Sequence, residues 1–393
     1  MKYDFNEIIN RVGTNSLKYD FAAERGKPEG ILPLWVADMD FRTPPEVSEV
    51  LQKAVRHGIF GYSESKAGYF DTVSHWFEER FGWRVQRRWL VKTPGVVFAL
   101  ATAIRALTGE GDAVIIQQPV YYPFSEVILA NHRKLVNNPL VYENGAYNVD
   151  FEDFEAQIVK NDVKLFLLCS PHNPVGRVWT VEELERLGEI CIRHQVIVVS
   201  DEIHADFTYP VYKHTIFASL NEKFLNNSII CTAPSKTFNL AGLQVSNIFI
   251  ANDGIRRKFK EAIIRTGYSQ LNTMGLIACQ AAYENGAGWL EELKEYLADN
   301  LTFIRKYFME RIPQVRLIEP QGTYLVWLDF GKLNLNDQEL EKLIVDRAGL
   351  WLDSGTMFGP EGKGFQRMNI ACPRQVLEKA LIQLEEAIKN PDK

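Results

Sequence analysis

Short, mainly apolar runs alternate along this chain with longer stretches in which apolar residues recur every three or four positions. The short runs are A-V-I-I-Q at 113–117, L-F-L-L-C at 165–169, V-I-V-V-S at 196–200, I-I-C-T at 229–232 and V-S-N-I-F-I at 245–250. Their length and their lack of polar alternation predict strands buried on both faces. Val181, Leu184, Leu187 and Cys191 make a helical stripe between two of them. Phe70, Val73, Phe77 and Phe81 predict a helix over 70–81, and A-L-A-T-A-I-R-A-L carries another onward from near Gly95. Strands alternating with helices predict an α/β fold, a mainly parallel sheet between helices.

The pattern changes after about residue 285. A helical stretch over 289–308 leads to a strand, T-Y-L-V-W-L-D, at 323–329. Helices are predicted at 337–348 and 375–389; Leu377, Leu381, Leu384 and Ile388 share one face of the second. Residues 1–45 read as irregular, with turn signals at Gly26-Lys27-Pro28 and Thr43-Pro44-Pro45. The expected organisation is a large α/β domain over 46–285 and a smaller α+β domain made from 286–393 and 1–45. The glycine-rich stretch 355–364 reads as a mobile loop. It is not a dinucleotide fingerprint, because no strand-loop-helix unit surrounds it.

Composition adds exclusions. The 393 residues are 46% hydrophobic and 24% charged, the profile of an ordinary globular protein. A net charge of −6 offers no basic face for nucleic acid, and Arg84-Val85-Gln86-Arg87-Arg88 reads as a solvated loop. No apolar run approaches the ~18 residues needed to span a membrane, and charges interrupt the N-terminal segment as they would not in a signal peptide. The five cysteines form no C-x-x-C pair. They point to a reducing, cytoplasmic setting and to neither a disulfide framework nor a metal site.

Three of the predicted strands end in polar residues: Ser170-Pro171-His172-Asn173-Pro174-Val175-Gly176, Ser200-Asp201-Glu202 and, past Ala233-Pro234, Ser235-Lys236. The carboxyl edge of an open α/β sheet is where ligands bind. A lone lysine is most often a solvated surface group. Lys236 gains weight from its company: Asp201, Asn173, Tyr121, Gly95 and Arg367.

With these residues the chain resembles the fold-type I pyridoxal-phosphate (PLP) enzymes of the aminotransferase class I/II group, over nearly its whole length. Within that group it looks most like the MalY/PatB-type cystathionine β-lyases. The strings that carry this closer likeness are L-W-V-A-D-M-D-F (34–41), G-Y-S (61–63), S-P-H-N-P-V-G-R-V-W (170–179), D-E-I-H-A-D-F (201–207) and A-P-S-K-T-F-N-L-A-G-L (233–243). The resemblance implies a seven-stranded, mainly parallel sheet and a smaller α+β domain.

It also implies roles. Lys236 would hold the PLP aldehyde as an imine and then take the Cα proton, a task suited to a desolvated amine. Asp201 would keep the pyridine nitrogen protonated. Asn173 would bond the phenolic oxygen, with His204 either joining it or bonding backbone. Tyr121 would stack on the ring, with Tyr122 as the competing candidate. Gly95, Val96 and Val97, opening a helix, would cradle the phosphate, aided by Ser235. Two departures weaken that grip: many relatives carry serine where Ala233 stands and arginine where Gln244 stands. Arg367 would clamp the substrate α-carboxylate, as its planar fork allows. Trp35, Ala37 and Asp38 would cover the substrate side chain. Tyr62 would reach the phosphate of a neighbouring subunit, making a homodimer with shared sites.

The implied reaction is cleavage of a sulfur-containing amino acid, L-cystathionine or another cysteine thioether, to thiol, pyruvate and ammonia. An aminotransferase of the same fold is the alternative. A PLP-binding modulator of transcription is a third.

Overall fold

The computed structural model describes residues 2–390. Its central sheet has seven strands: β1 (Leu90–Thr93), β2 (Ala113–Ile116), β3 (Lys134–Asn137), β4 (Val163–Cys169), β5 (Ile197–Asp201), β6 (Ser228–Thr232) and β7 (Ser246–Phe249). They lie in the order β1-β7-β6-β5-β4-β2-β3. All neighbours are parallel except those of β7, which runs against both β6 and β1. Six strands therefore point the same way, and their carboxyl ends share one edge. The apolar runs are buried on both faces as their composition requires: every residue of β2 and β6 is buried.

Helices cover the two faces. On one, Ala99, Leu100, Ala103 and Ile104 of the helix Val96–Leu107 pack with Val114, Ile116, Leu165 and Leu167 of the sheet. On the other, Leu184, Leu187 and Cys191 form the buried face of the helix Val181–Arg193, whose Thr180–Glu183 capping box fixes its start. Val181, the fourth residue of the expected stripe, is exposed.

A second sheet is antiparallel: β8 (Arg316–Ile318), β9 (Leu325–Asp329), β10 (Asp353–Ser354) and β11 (Phe365–Asn369), in the order β8-β9-β11-β10. The long helix Ala287–Arg311 and the C-terminal helix Arg374–Lys389 flank it. The N-terminal segment is tied to it by backbone: Leu32 and Pro33 pair with Leu350 and Trp351, and Asn369 N–H donates to Leu34 O at 2.8 Å. The expected helix over 337–348 divides in two. Asp337–Lys342 is α-helical, and Leu343–Arg347 opens into a wider π turn.

The stretch 355–364 is not a loose loop. Gly355–Phe358 and Pro360–Gly362 are short 3₁₀ turns, and Phe358 is fully buried with its ring edge-on to Trp327. Val120 N–H donates to Phe358 O at 2.9 Å, which fastens the stretch to the end of the central sheet. Its glycines serve close approach: a Cβ on Gly355 would overlap the backbone of Gly362. Gly355→Ala should lower stability by about 1–3 kcal/mol, the usual cost of overpacking. The exposed Lys363→Ala beside it should change it by less than about 0.5 kcal/mol. Urea unfolding of the two variants measures both, and equal stabilities would refute the packing described.

Candidate active site

Lys236 sits in the one-turn helix Pro234–Thr237 that follows β6, and its amine donates to Ala37 O at 2.8 Å. That carbonyl also accepts Tyr324 Oη–H at 3.0 Å. Asn239 secures the same crossing: its side-chain amide bonds Met39 N, Met39 O and Phe41 O, each at 3.0 Å. From the other side, Asn369 Nδ2 donates to Val36 O and Asp38 O, both at 2.6 Å. The 34–41 segment thus lies pinned between the lysine turn and β11.

Asp201 closes β5 and is buried. Its carboxylate accepts Ile203 N–H at 3.2 Å and has no ion-pair partner among the described residues. Burial pushes its acid up to about 7; the Ile203 N–H and Lys236 oppose this, and Glu202 adds to it. Burial also brings the Lys236 amine down to about 8, assisted by Arg367 and opposed by Asp38 and Asp201.

Arg367, on β11, is buried. It donates to Asn173 Oδ1 at 3.0 Å, to Trp35 O at 2.9 Å and to the Asp353 carboxylate, and it lies 4.9 Å from the centre of the Phe358 ring. Its Nε–H has no partner among the described residues. Asn173 is buried, and Tyr121 N–H donates to its carbonyl at 2.9 Å, so the strand-end loops of β2 and β4 are joined there. His204 is buried against Tyr324, with Nδ1 unpartnered among the described residues. Burial, Lys236 and Arg367 hold its pKa well below the ordinary value, so the ring is neutral.

Most of the sequence-predicted residues therefore meet at one edge. Tyr121 and Tyr122 are both half-buried there with ring centres 5.4 Å apart, which leaves Tyr121 the one bonded to Asn173. Trp35 stacks on Trp351 at 4.3 Å. Ser235 adjoins Lys236 and is half-buried. Gly95 has φ 150°, a backbone that only glycine adopts readily, and no atom lies within 4 Å of where a Cβ would stand. Val96 is buried, Val97 is exposed, and no side chain caps this helix start.

Two residues are held by other parts of the chain. The Asp38 carboxylate is held by Arg11, at 2.7 and 3.1 Å, so it braces the segment while its charge still acts on the Lys236 amine. Tyr62 is 99% exposed, on an arm anchored by Ser63–Thr273, by Lys92–Glu64 and by Lys92–Ser65. Its own chain does not bring it to the lysine.

Sequence reasoning missed Asn239, Tyr324 and Asp353. Asn239 lies in the quoted string around Lys236, three residues past it, and was the one with a usable signal.

A pyridine ring bearing an aldehyde and a phosphate would fit this site. The uncapped helix start at open Gly95 suits a phosphate. The buried Asp201 carboxylate, without an ionic partner, suits a protonated ring nitrogen. The desolvated amine suits an aldehyde.

The amine's state is measurable. In cofactor-free protein, acylation of Lys236 should reach half its maximal rate near pH 8. An exposed lysine reaches it near ~10.4. Asp201→Asn should move that midpoint to lower pH, because it removes a negative charge that favours the ammonium. Peptide mapping after timed labelling gives both midpoints, and a wild-type value near that of exposed lysines would contradict the burial argument.

Comparison with known proteins agrees with this geometry. A family model described as aminotransferase class I and II matches residues 29–384. The chain is 42% identical to cystathionine beta-lyase PatB of Bacillus subtilis over 98% of this chain and 100% of that protein. It is 35% identical to protein MalY of Escherichia coli, over 98% of this chain and 99% of that one. The crystal structure of cystalysin from Treponema denticola, which contains a pyridoxal 5′-phosphate cofactor, superposes with a TM-score of 0.96 at 37% identity and covers 100% of both chains. Site geometry, fold and full-length similarity agree that this chain belongs to the aminotransferase class I and II family.

Proposed function

We propose that this chain is a PLP-dependent carbon–sulfur β-lyase that converts L-cystathionine, or a related cysteine thioether, and water to thiol, pyruvate and ammonia. The observation that carries the reading is the convergence of Lys236, Asp201 and Arg367 on one strand edge, with the amine's pKa drawn down to about 8. The choice of sulfur chemistry is supported by the full-length likeness to PatB. When bound, PLP supplies an aldehyde that captures the substrate amine and a ring that accepts electrons from Cα.

The chain's own residues then have distinct tasks. Arg367 binds the substrate α-carboxylate, held in place beforehand by Asn173 and Trp35 O. Lys236 takes the proton from Cα; an amine near 8 is basic enough to accept it and is partly unprotonated at neutral pH. Loss of that proton allows the Cβ–S bond to break and the thiolate to leave. Asp201 holds a proton at the pyridine nitrogen. Asn173 and neutral His204 offer groups to the phenolic oxygen. Gly95, Val96 and Val97, with Ser235, receive the phosphate at the helix start. Trp35 and Ala37 wall the cleft.

Tyr62 is proposed to complete the phosphate site of a second copy. Its full exposure on a braced arm supports a homodimer with shared sites. The cofactor unit is proposed to span 46–285, with 1–45 and 286–393 forming the smaller one; the placement of the two sheets and the Leu32–Leu350 pairing support this division. No helix among the described residues is long and apolar enough to cross a membrane, and all five cysteines are free and buried. Both facts support a cytoplasmic assignment.

Lys236→Ala should reduce pyruvate release from L-cystathionine by at least about 10²–10⁴-fold, the usual value of a positioned acid–base group. Build-up of the pyridoxamine form of the cofactor with no thiol release would favour transamination instead. For the dimer, the inactive Lys236→Ala chain mixed with a Tyr62→Phe chain should regain activity, because one hybrid site holds both intact residues. Absence of rescue in a mixture shown to exchange subunits would argue against a shared site.

A further inference from the structure

Arg367 is held by more partners than a free carboxylate clamp needs. Asn173 Oδ1 and Trp35 O accept two of its five N–H groups at 3.0 and 2.9 Å, and Phe358 supports its guanidinium at 4.9 Å. These contacts come from three separate segments and fix the side chain by themselves. The third acceptor is different in kind. Asp353 is a buried carboxylate directly across the sheet, where β10 pairs with β11 at Asp353–Arg367, and it bonds Nη2. Among the described residues its side chain hydrogen-bonds Arg367 alone, whereas Arg367 has partners besides Asp353.

We infer that Asp353 is an internal counter-ion that competes with the substrate's α-carboxylate for Arg367, and so sets how tightly carboxylates bind. This rests on the role of Arg367 proposed above. A guanidinium whose charge is already matched by a buried anion attracts a second anion less, and the two carboxylates sharing it repel each other in a poorly screened site. Burial holds the Asp353 acid above its usual range, with Arg367 and the nearby Lys27 opposing. The device favours release of the carboxylate product at the expense of substrate affinity, making Asp353 a residue that sets affinity without touching the reacting atoms.

The test is a titration of the cofactor-loaded enzyme, followed by cofactor absorbance. Two amines serve as probes: L-alanine, which has an α-carboxylate and no leaving group, and ethylamine, which lacks the carboxylate. Asp353→Asn should bind L-alanine at least about tenfold more tightly, as expected when a like charge is removed from a buried pair, and should bind ethylamine as wild type does. Asp353→Glu, which keeps the charge, should leave both affinities near wild type. With L-cystathionine, Asp353→Asn should lower KM without raising kcat.

Weaker or unchanged L-alanine binding in Asp353→Asn would mean that Asp353 only positions Arg367, and would overturn the inference. Equal tightening in Asp353→Glu would do the same. If Asp353→Asn does not load cofactor, Asp353→Ser answers the same question; failure of both neutral variants would mark Asp353 as a structural anchor and also overturn it. A wild-type enzyme that responds to neither amine would refute the proposed function itself, and this inference with it.

Discussion

The site depends on one crossing of chain segments, where the Lys236 amine meets Ala37 O. The lysine belongs to a turn at the end of the central sheet. The carbonyl belongs to an N-terminal segment laid against the second sheet. Neither sheet alone would place both atoms. Asn239 and Asn369 explain why the crossing is fixed, since each spends its side-chain amide on backbone groups of residues 36–41. Buried backbone donors and acceptors must find partners, and here the partners are two amides reaching in from opposite sides.

Charge balance follows from that crossing. Two cations, Lys236 and Arg367, stand at an edge with two buried acids, Asp201 and Asp353. Burial acts on Lys236 and on both acids in the direction that disfavours charge, drawing the lysine down to about 8 and raising Asp201 to about 7. His204 lies in the same field and takes no proton there, because burial and two neighbouring cations act together on it. Cations and anions that were each fully matched would leave nothing for a ligand to gain. The mismatch at Asp201, an acid whose carboxylate accepts a single N–H from Ile203, is what makes the edge receptive to a cationic ring nitrogen.

How much of this was legible in the sequence depended on whether the signal was local. The five strands read from apolar runs are all present, because a strand buried on both faces has a composition no surface element shares. β1 and β3 went unread. Lys92 interrupts the first, while Lys134 and Asn137 flank only two apolar residues in the second, so neither forms a continuous apolar run. The helix Pro45–His57 went unread for the opposite reason: only Val47 of its thirteen residues is buried. The stretch 355–364 was misread because glycine looks the same in sequence whether it grants freedom or permits contact, and Gly355 and Gly362 permit contact. Asp353 could not be found at all, since its meaning lies in sheet register with Arg367, fourteen residues away. Tyr62 was found only through family resemblance, and its complete exposure is a fact no periodicity could supply.

The phosphate end shows why assembly and cofactor retention belong together in the proposed enzyme. Ala233 and Gln244 stand where many relatives have serine and arginine, and Gln244 is exposed. The Thr93 and Ser246 hydroxyls lie 2.6 Å apart and bond each other. What one chain offers an anion is then the helix start at Gly95, worth roughly half a unit of positive charge, together with Ser235. A dianionic phosphate held by so few groups leaves a large share of the grip to whatever covers the helix start from outside. An arm braced by Lys92, Glu64 and Thr273 and presenting a fully exposed tyrosine has the form of such a cover for a neighbouring copy. A ligand that binds the dimer and not the separated chain stabilises the dimer by mass action. In the proposed enzyme the weak phosphate grip of each chain therefore makes cofactor occupancy and subunit association depend on each other.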